Sequence, residues 1–186
     1  MHFRRDSAER GTYMGKKGTK LYGVVLPVWL LWLLPQSLAV VIPVIFLLDF
    51  LVLFFEMKHL GITGRRETLR TTLWKTWLLG VLGDLAGAAL MFLATAVPSS
   101  GKNGFEGWWY HYLTNPISVN PFHSVFAILW TAAAVFLAGM AIYVFNWKFA
   151  FSKLKIQEEQ KKKLAISLAV FTAPYLFFLP SSLLYR

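Results

Sequence analysis

The chain has 186 residues, of which 56% are hydrophobic and 15% charged, and a formal net charge of +10. A water-soluble domain carries roughly 45–50% apolar and about 25% charged residues, so this composition excludes an ordinary soluble enzyme and points to an integral membrane protein. It holds no cysteine, which excludes disulfides, thiol catalysis and cysteine-ligated metals.

Residues 1–20 contain six basic residues, and residues 21–55 are then apolar for thirty-five positions. That is too long for one crossing, since a hydrocarbon core of about 30 Å takes roughly 20 helical residues. Pro35, Gln36 and Ser37 are the only turn-like punctuation, and the spacing predicts a short helical hairpin with spans at 21–35 and 38–56. Residues 21–34 also resemble the apolar region of a signal peptide, with small residues at Ser37 and Ala39. The apolar run resumes after Ala39, however, and the segment is expected to be retained.

Five basic residues follow at 56–76, then an expected span at 77–97. The stretch 98–121 is polar and aromatic, with "GWWYHYLTNP" reading as an interfacial belt, a short surface helix or a lid. Spans are predicted at 122–145 and 164–184, separated by a linker, "KFAFSKLKIQEEQKKK", within a region that carries six more basic residues. Phe149, Phe151, Leu154 and Ile156 alternate there with lysines, as in a helix extension snorkelling on anionic lipid.

Seventeen of nineteen Lys and Arg thus fall in three segments that five spans place on one side. By the positive-inside rule the amino terminus is inside and the carboxy terminus outside. The fold class read from the sequence is therefore an all-α integral membrane protein of about five transmembrane helices in a single domain, in a prokaryotic cytoplasmic membrane. The basic residues lie beside span ends, where they meet anionic headgroups, so the partner implied is a lipid bilayer and not nucleic acid. His111 and His123, with Glu106 nearby, have no recognised ligand spacing, and neither metal nor cofactor is expected.

The chemistry-bearing groups are intramembrane acids. Asp84 lies in "LLGVLGDLAGAALMF" and Asp49 in "IFLLDFLVLFFE". Each is nine residues from a lysine at the same membrane face, Lys75 or Lys58, hence about 13 Å deep. The two helices are expected to pack antiparallel with the acids at matching depth. Glu56 follows Asp49 by seven residues and extends a possible acidic line to the inner boundary. Gly80, Gly83 and Gly87 form a small-residue face that lets another helix approach and directs Asp84 toward protein.

Two acids without a basic partner in any span should share a proton, bind a cation or line water. The leading reading is a channel or transport subunit, with Asp49, Asp84 and Glu56 binding a cation or proton and Pro35, Pro43 and Pro174 breaking helices. One such chain makes a narrow pore, so a homo-oligomer or another membrane subunit is implied, joined through the glycine face. A second reading is a non-transporting subunit, anchor or sensor, whose acids are protonated and hydrogen-bond across helices to groups such as Thr95, Thr131, Asn146 or Tyr175.

A third rests on a resemblance: "VLGD" at 81–84 is similar to the GxGD motif of presenilin-type and prepilin peptidases, with Val81 where the first glycine stands and Leu48 where presenilins have tyrosine before the other aspartate. The PAL motif is absent. That resemblance implies an intramembrane aspartyl hydrolase acting through Asp49 and Asp84.

Overall fold

Leucine, valine and phenylalanine run from residue 38 to 55 without a glycine, and they build one long helix, α1 (Pro35–His59). The computed structural model describes residues 35–97 and 104–181. The expected span at 21–35, and with it the hairpin, lies outside the described residues. Pro43 does not break α1, which continues unbroken through it; a proline inside a helix forfeits one backbone donor, and neighbouring groups can absorb that loss.

The end of α1 is set by its sequence. Ile62 N–H donates to the Met57 carbonyl (3.1 Å) and Gly61 N–H to the Lys58 carbonyl (3.3 Å), with Gly61 at φ 64°. These are the paired bonds of a Schellman motif, which needs a left-handed residue at Gly61, and the buried Ile62 closes on Met57 in the same apolar cluster. Helix α2 (Arg65–Thr95) follows, 31 residues and about 46 Å long.

The expected aromatic loop is largely helical. It contains α3 (Phe105–Trp109), a π-turn over Tyr110–Thr114 and α4 (Asn115–Val119). Helix α5 (Val125–Phe145) continues into a second π-turn, Asn146–Ala150, closed by Phe151 N–H on the Asn146 carbonyl at 2.9 Å. Helix α6 (Glu158–Thr172) starts earlier and ends sooner than the expected 164–184 span. Pro174 is the reason: it forces Ala173 into an extended conformation (φ −56°, ψ 149°) and has no N–H to continue the ladder. An inverse γ-turn follows at Pro174 (φ −77°, ψ 65°), with Tyr175 N–H on the Ala173 carbonyl at 2.8 Å, then a 3-10 turn over Tyr175–Phe178.

The described residues are all helix and turn, with no strand among them. Helix α2 packs on α1 and α5, and α6 closes the ring on α5 and α1, each neighbour antiparallel. One end of this bundle carries residues 60–64 and 151–157 and the basic starts of α2 and α6; the other carries the aromatic helices. Two helices, Arg65–Thr95 and Val125–Ala150, are long and apolar enough to cross a membrane. Their outward faces display Leu78, Leu82, Phe92, Leu129 and Phe136 to the surroundings.

The linker 146–163 is no snorkelling extension. Phe151 is fully buried, and Leu154 and Ile156 pack on the cluster of Leu53, Met57 and Leu164 at the basic end. Only Phe149 remains exposed, at 61%. The apolar residues of the linker therefore plug the basic end of the bundle, burying apolar surface there.

Candidate functional site

On α1 the buried positions Asp49, Leu53 and Met57 recur every fourth residue. On α2 the buried row is Thr72, Thr76, Gly80, Asp84 and Ala88, again at spacing four. The two rows bring the acids together. Asp49 Oδ2 lies 3.5 Å from where a Cβ on Gly80 would stand, one turn from Asp84, and the two carboxyls are within electrostatic range of each other. Both are nearly inaccessible, 1% exposed for Asp49 and 2% for Asp84. Asp49 Oδ2 and Asp84 Oδ1 have no hydrogen-bond partner among the described residues.

The third wall comes from α6. The Thr172 side chain lies close to Asp49, and its hydroxyl donates to the Leu168 carbonyl at 2.8 Å. Thr172 also lines a groove with Asp84, between the outer half of α1 and the segment after α6. The α6 helix thus stops at Thr172, beside the acids, and Pro174 turns the chain so that Tyr175 and Leu176 form the groove wall.

Glu56 is not part of this cluster. It is half-buried on α1, about 10 Å along the helix from Asp49, and the fully buried Leu53 lies between the two positions on the inward face. An apolar turn therefore interrupts the expected acidic line.

The glycines divide their work. Gly80 faces Asp49, whereas Gly83 and Gly87 face α5: a Cβ on Gly83 would meet Ile142 Cγ1 at 2.5 Å, and one on Gly87 the Ala134 carbonyl at 2.8 Å. The face expected to join subunits is consumed inside the chain. Three of the four groups expected to bond the acids donate elsewhere. Thr95, Asn146 and Tyr175 donate to the carbonyls of Phe92, Ile142 and Val170, and Thr131 Oγ1 has no partner among the described residues.

Sequence reasoning missed Thr172 and Thr76. Thr76 Oγ1 is buried and unpartnered one turn below Gly80, and the spacing 76-80-84 would have placed it on the acid's own ridge. No local signal marks Thr172, which lies 123 residues after its partner Asp49. Helix α2 also packs on the second π-turn, Asn146–Ala150. Asn146 opens the π-turn and is fully buried with Oδ1 unpaired, and such turns often mark functional positions.

The histidines lie elsewhere. His123 contacts the Asn120 amide at 3.2 Å, and His111 stacks edge-on with Tyr112. Among the described residues no group of three or more His, Asp or Glu is placed to hold a metal ion. Compared with known proteins, the chain matches no family model, no curated protein and no solved structure.

Proposed function

We propose that this is a multi-pass helical membrane protein acting as a channel or transport subunit, in which Asp49 and Asp84 bind a proton or cation inside the bundle. One observation carries the reading: two carboxyls occupy one interhelical space, each with a buried oxygen that has no hydrogen-bond partner among the described residues. The ion pair found among the described residues, Lys161 to Glu158 at 2.7 Å, stands at the start of α6 and does not serve them. Uncompensated buried acids cost several kcal/mol, and a chain keeps such groups where they do work on ions or protons. The membrane setting is supported by the exposed leucines and phenylalanines on α2 and α5, since large apolar patches of this kind mark contact with a membrane or a partner. An assembly with a second copy or another subunit would use these outer faces, since Gly83 and Gly87 are already filled.

Purified protein in liposomes tests this directly. An imposed gradient should drive proton or cation flux through the wild type, and Asp49→Asn and Asp84→Asn should fold yet lose it, because Asn keeps the shape and removes the charge. Folded wild type that passes neither protons nor common cations, alone or with a co-purifying subunit, overturns the reading.

A second reading, a non-transporting subunit, is favoured by the closeness of Thr172 to Asp49, which would let the acid serve as interhelical glue between α1 and α6. In that case both Asn variants keep stability and function.

A further inference from the structure

The groove at Asp84 carries its own chemistry. It has a volume of about 640 Å³ and runs between Val44, Ile45 and Leu48 of α1 and the segment from Phe171 to Leu179. That size falls in the range of about 300–1,000 Å³ that binds small molecules. Its walls are aliphatic and aromatic, and Asp84 is the sole ionisable carboxyl among the described lining residues. Two other polar side chains line it, and both have spent their protons: Thr172 on the Leu168 carbonyl at 2.8 Å and Tyr175 on the Val170 carbonyl at 2.6 Å. Asp84 lines the groove while only 2% exposed, and its buried Oδ1 has no hydrogen-bond partner among the described residues.

These groups match some cations and not others. A hard inorganic cation requires about six oxygen ligands, and the described side chains of the walls supply one carboxyl and two hydroxyls. A cation whose charge is spread over an apolar skeleton requires one counter-charge and a hydrophobic enclosure. Phe171 and Tyr175, exposed at 67% and 53%, add aromatic faces that attract such a cation. Resting on the reading that Asp84 binds a cation, we infer that the groove is a binding site for a lipophilic organic cation, an ammonium or phosphonium with apolar substituents, held by Asp84.

The full chain in detergent micelles is titrated with tetraphenylphosphonium and, separately, with tetraphenylborate, which has the same shape and the opposite charge. Saturable binding of the phosphonium is expected, with no specific binding of the borate. Asp84→Asn should weaken the phosphonium at least about tenfold while its melting temperature stays near that of wild type. Independently of any variant, the phosphonium should protect Asp84 of the wild-type protein from a hydrophobic carbodiimide, read by peptide mass spectrometry, and the borate should not. Equal binding of both probes, or phosphonium binding that neither depends on Asp84 nor protects it, overturns the inference. Absent phosphonium binding together with Asp84-dependent proton or cation flux removes this inference and leaves the transport reading standing; absent binding and absent flux remove both.

Discussion

Gly80, Gly83 and Gly87 occupy two turns of α2 and answer differently to the smallest possible change. A methyl on Gly80 would stand 3.5 Å from Asp49 Oδ2, an ordinary contact, and alanine improves helix propensity by up to about 1 kcal/mol. On Gly87 the same methyl would meet the Ala134 carbonyl at 2.8 Å and Ala138 Cβ at 2.9 Å. Neither can swing away, because one is backbone and the other is fixed to it. Gly80→Ala should therefore melt within a few degrees of wild type in detergent. Gly87→Ala should be destabilised by about 1–3 kcal/mol, and Gly87→Leu by more. Equal melting temperatures for all three would mean that α2 and α5 do not approach as closely as the structure shows. A sequence read one helix at a time places all three glycines on one face; it cannot say that two neighbours share that face.

At the scale of elements, the outer end of α2 is held by side chains from the aromatic segment. Trp109 Nε1 and the Thr114 hydroxyl both donate to the Ala94 carbonyl, at 2.9 and 2.8 Å, and Trp130 Nε1 donates to the Leu90 carbonyl at 2.9 Å. Carbonyls in the last turn of a helix lack internal donors, and Trp109 and Thr114 supply that of Ala94, while Trp130 ties on one turn earlier. Because Ala94 has two donors, losing either leaves its carbonyl satisfied. Trp109→Phe and Thr114→Val should each cost about 0.5–1 kcal/mol, and the double variant more than the sum. A double-variant cycle measured by chemical unfolding checks this, and strict additivity would show that the two donors act separately. "GWWYHYLTNP" is thus partly a cap on α2, with Trp108, Tyr110 and Tyr112 left exposed. Its aromatic content was legible as an interfacial signal. Its docking on Ala94 was not, since that depends on where α2 ends in space.

The whole molecule presents residues 60–64 and 151–157 at one end of the bundle and 104–124 at the other. Since the chain has no native cysteine, single cysteines can report its orientation without background. Thr63→Cys and Lys155→Cys, both at exposed positions, should react with a membrane-impermeant maleimide only after cells are opened, whereas Val119→Cys should react in intact cells. Labelling of Thr63→Cys and Val119→Cys from the same side would refute the proposed arrangement. Local properties of the chain, its hydropathy and its helical spacing, were enough to read an all-helical fold; of the five spans expected, two helices among the described residues are long and apolar enough to cross a membrane. The same properties were also enough to place Asp49 and Asp84 on consecutive helices that face each other. Tertiary structure alone decided that α5 fills the Gly83–Gly87 face, that Thr172 reaches Asp49, that Leu53 separates Glu56 from the acids and that residues 151–156 plug the basic end. The physical reason is that periodicity shows which side of a helix avoids its surroundings, while the identity of the neighbour depends on how all the apolar faces close on one another at once.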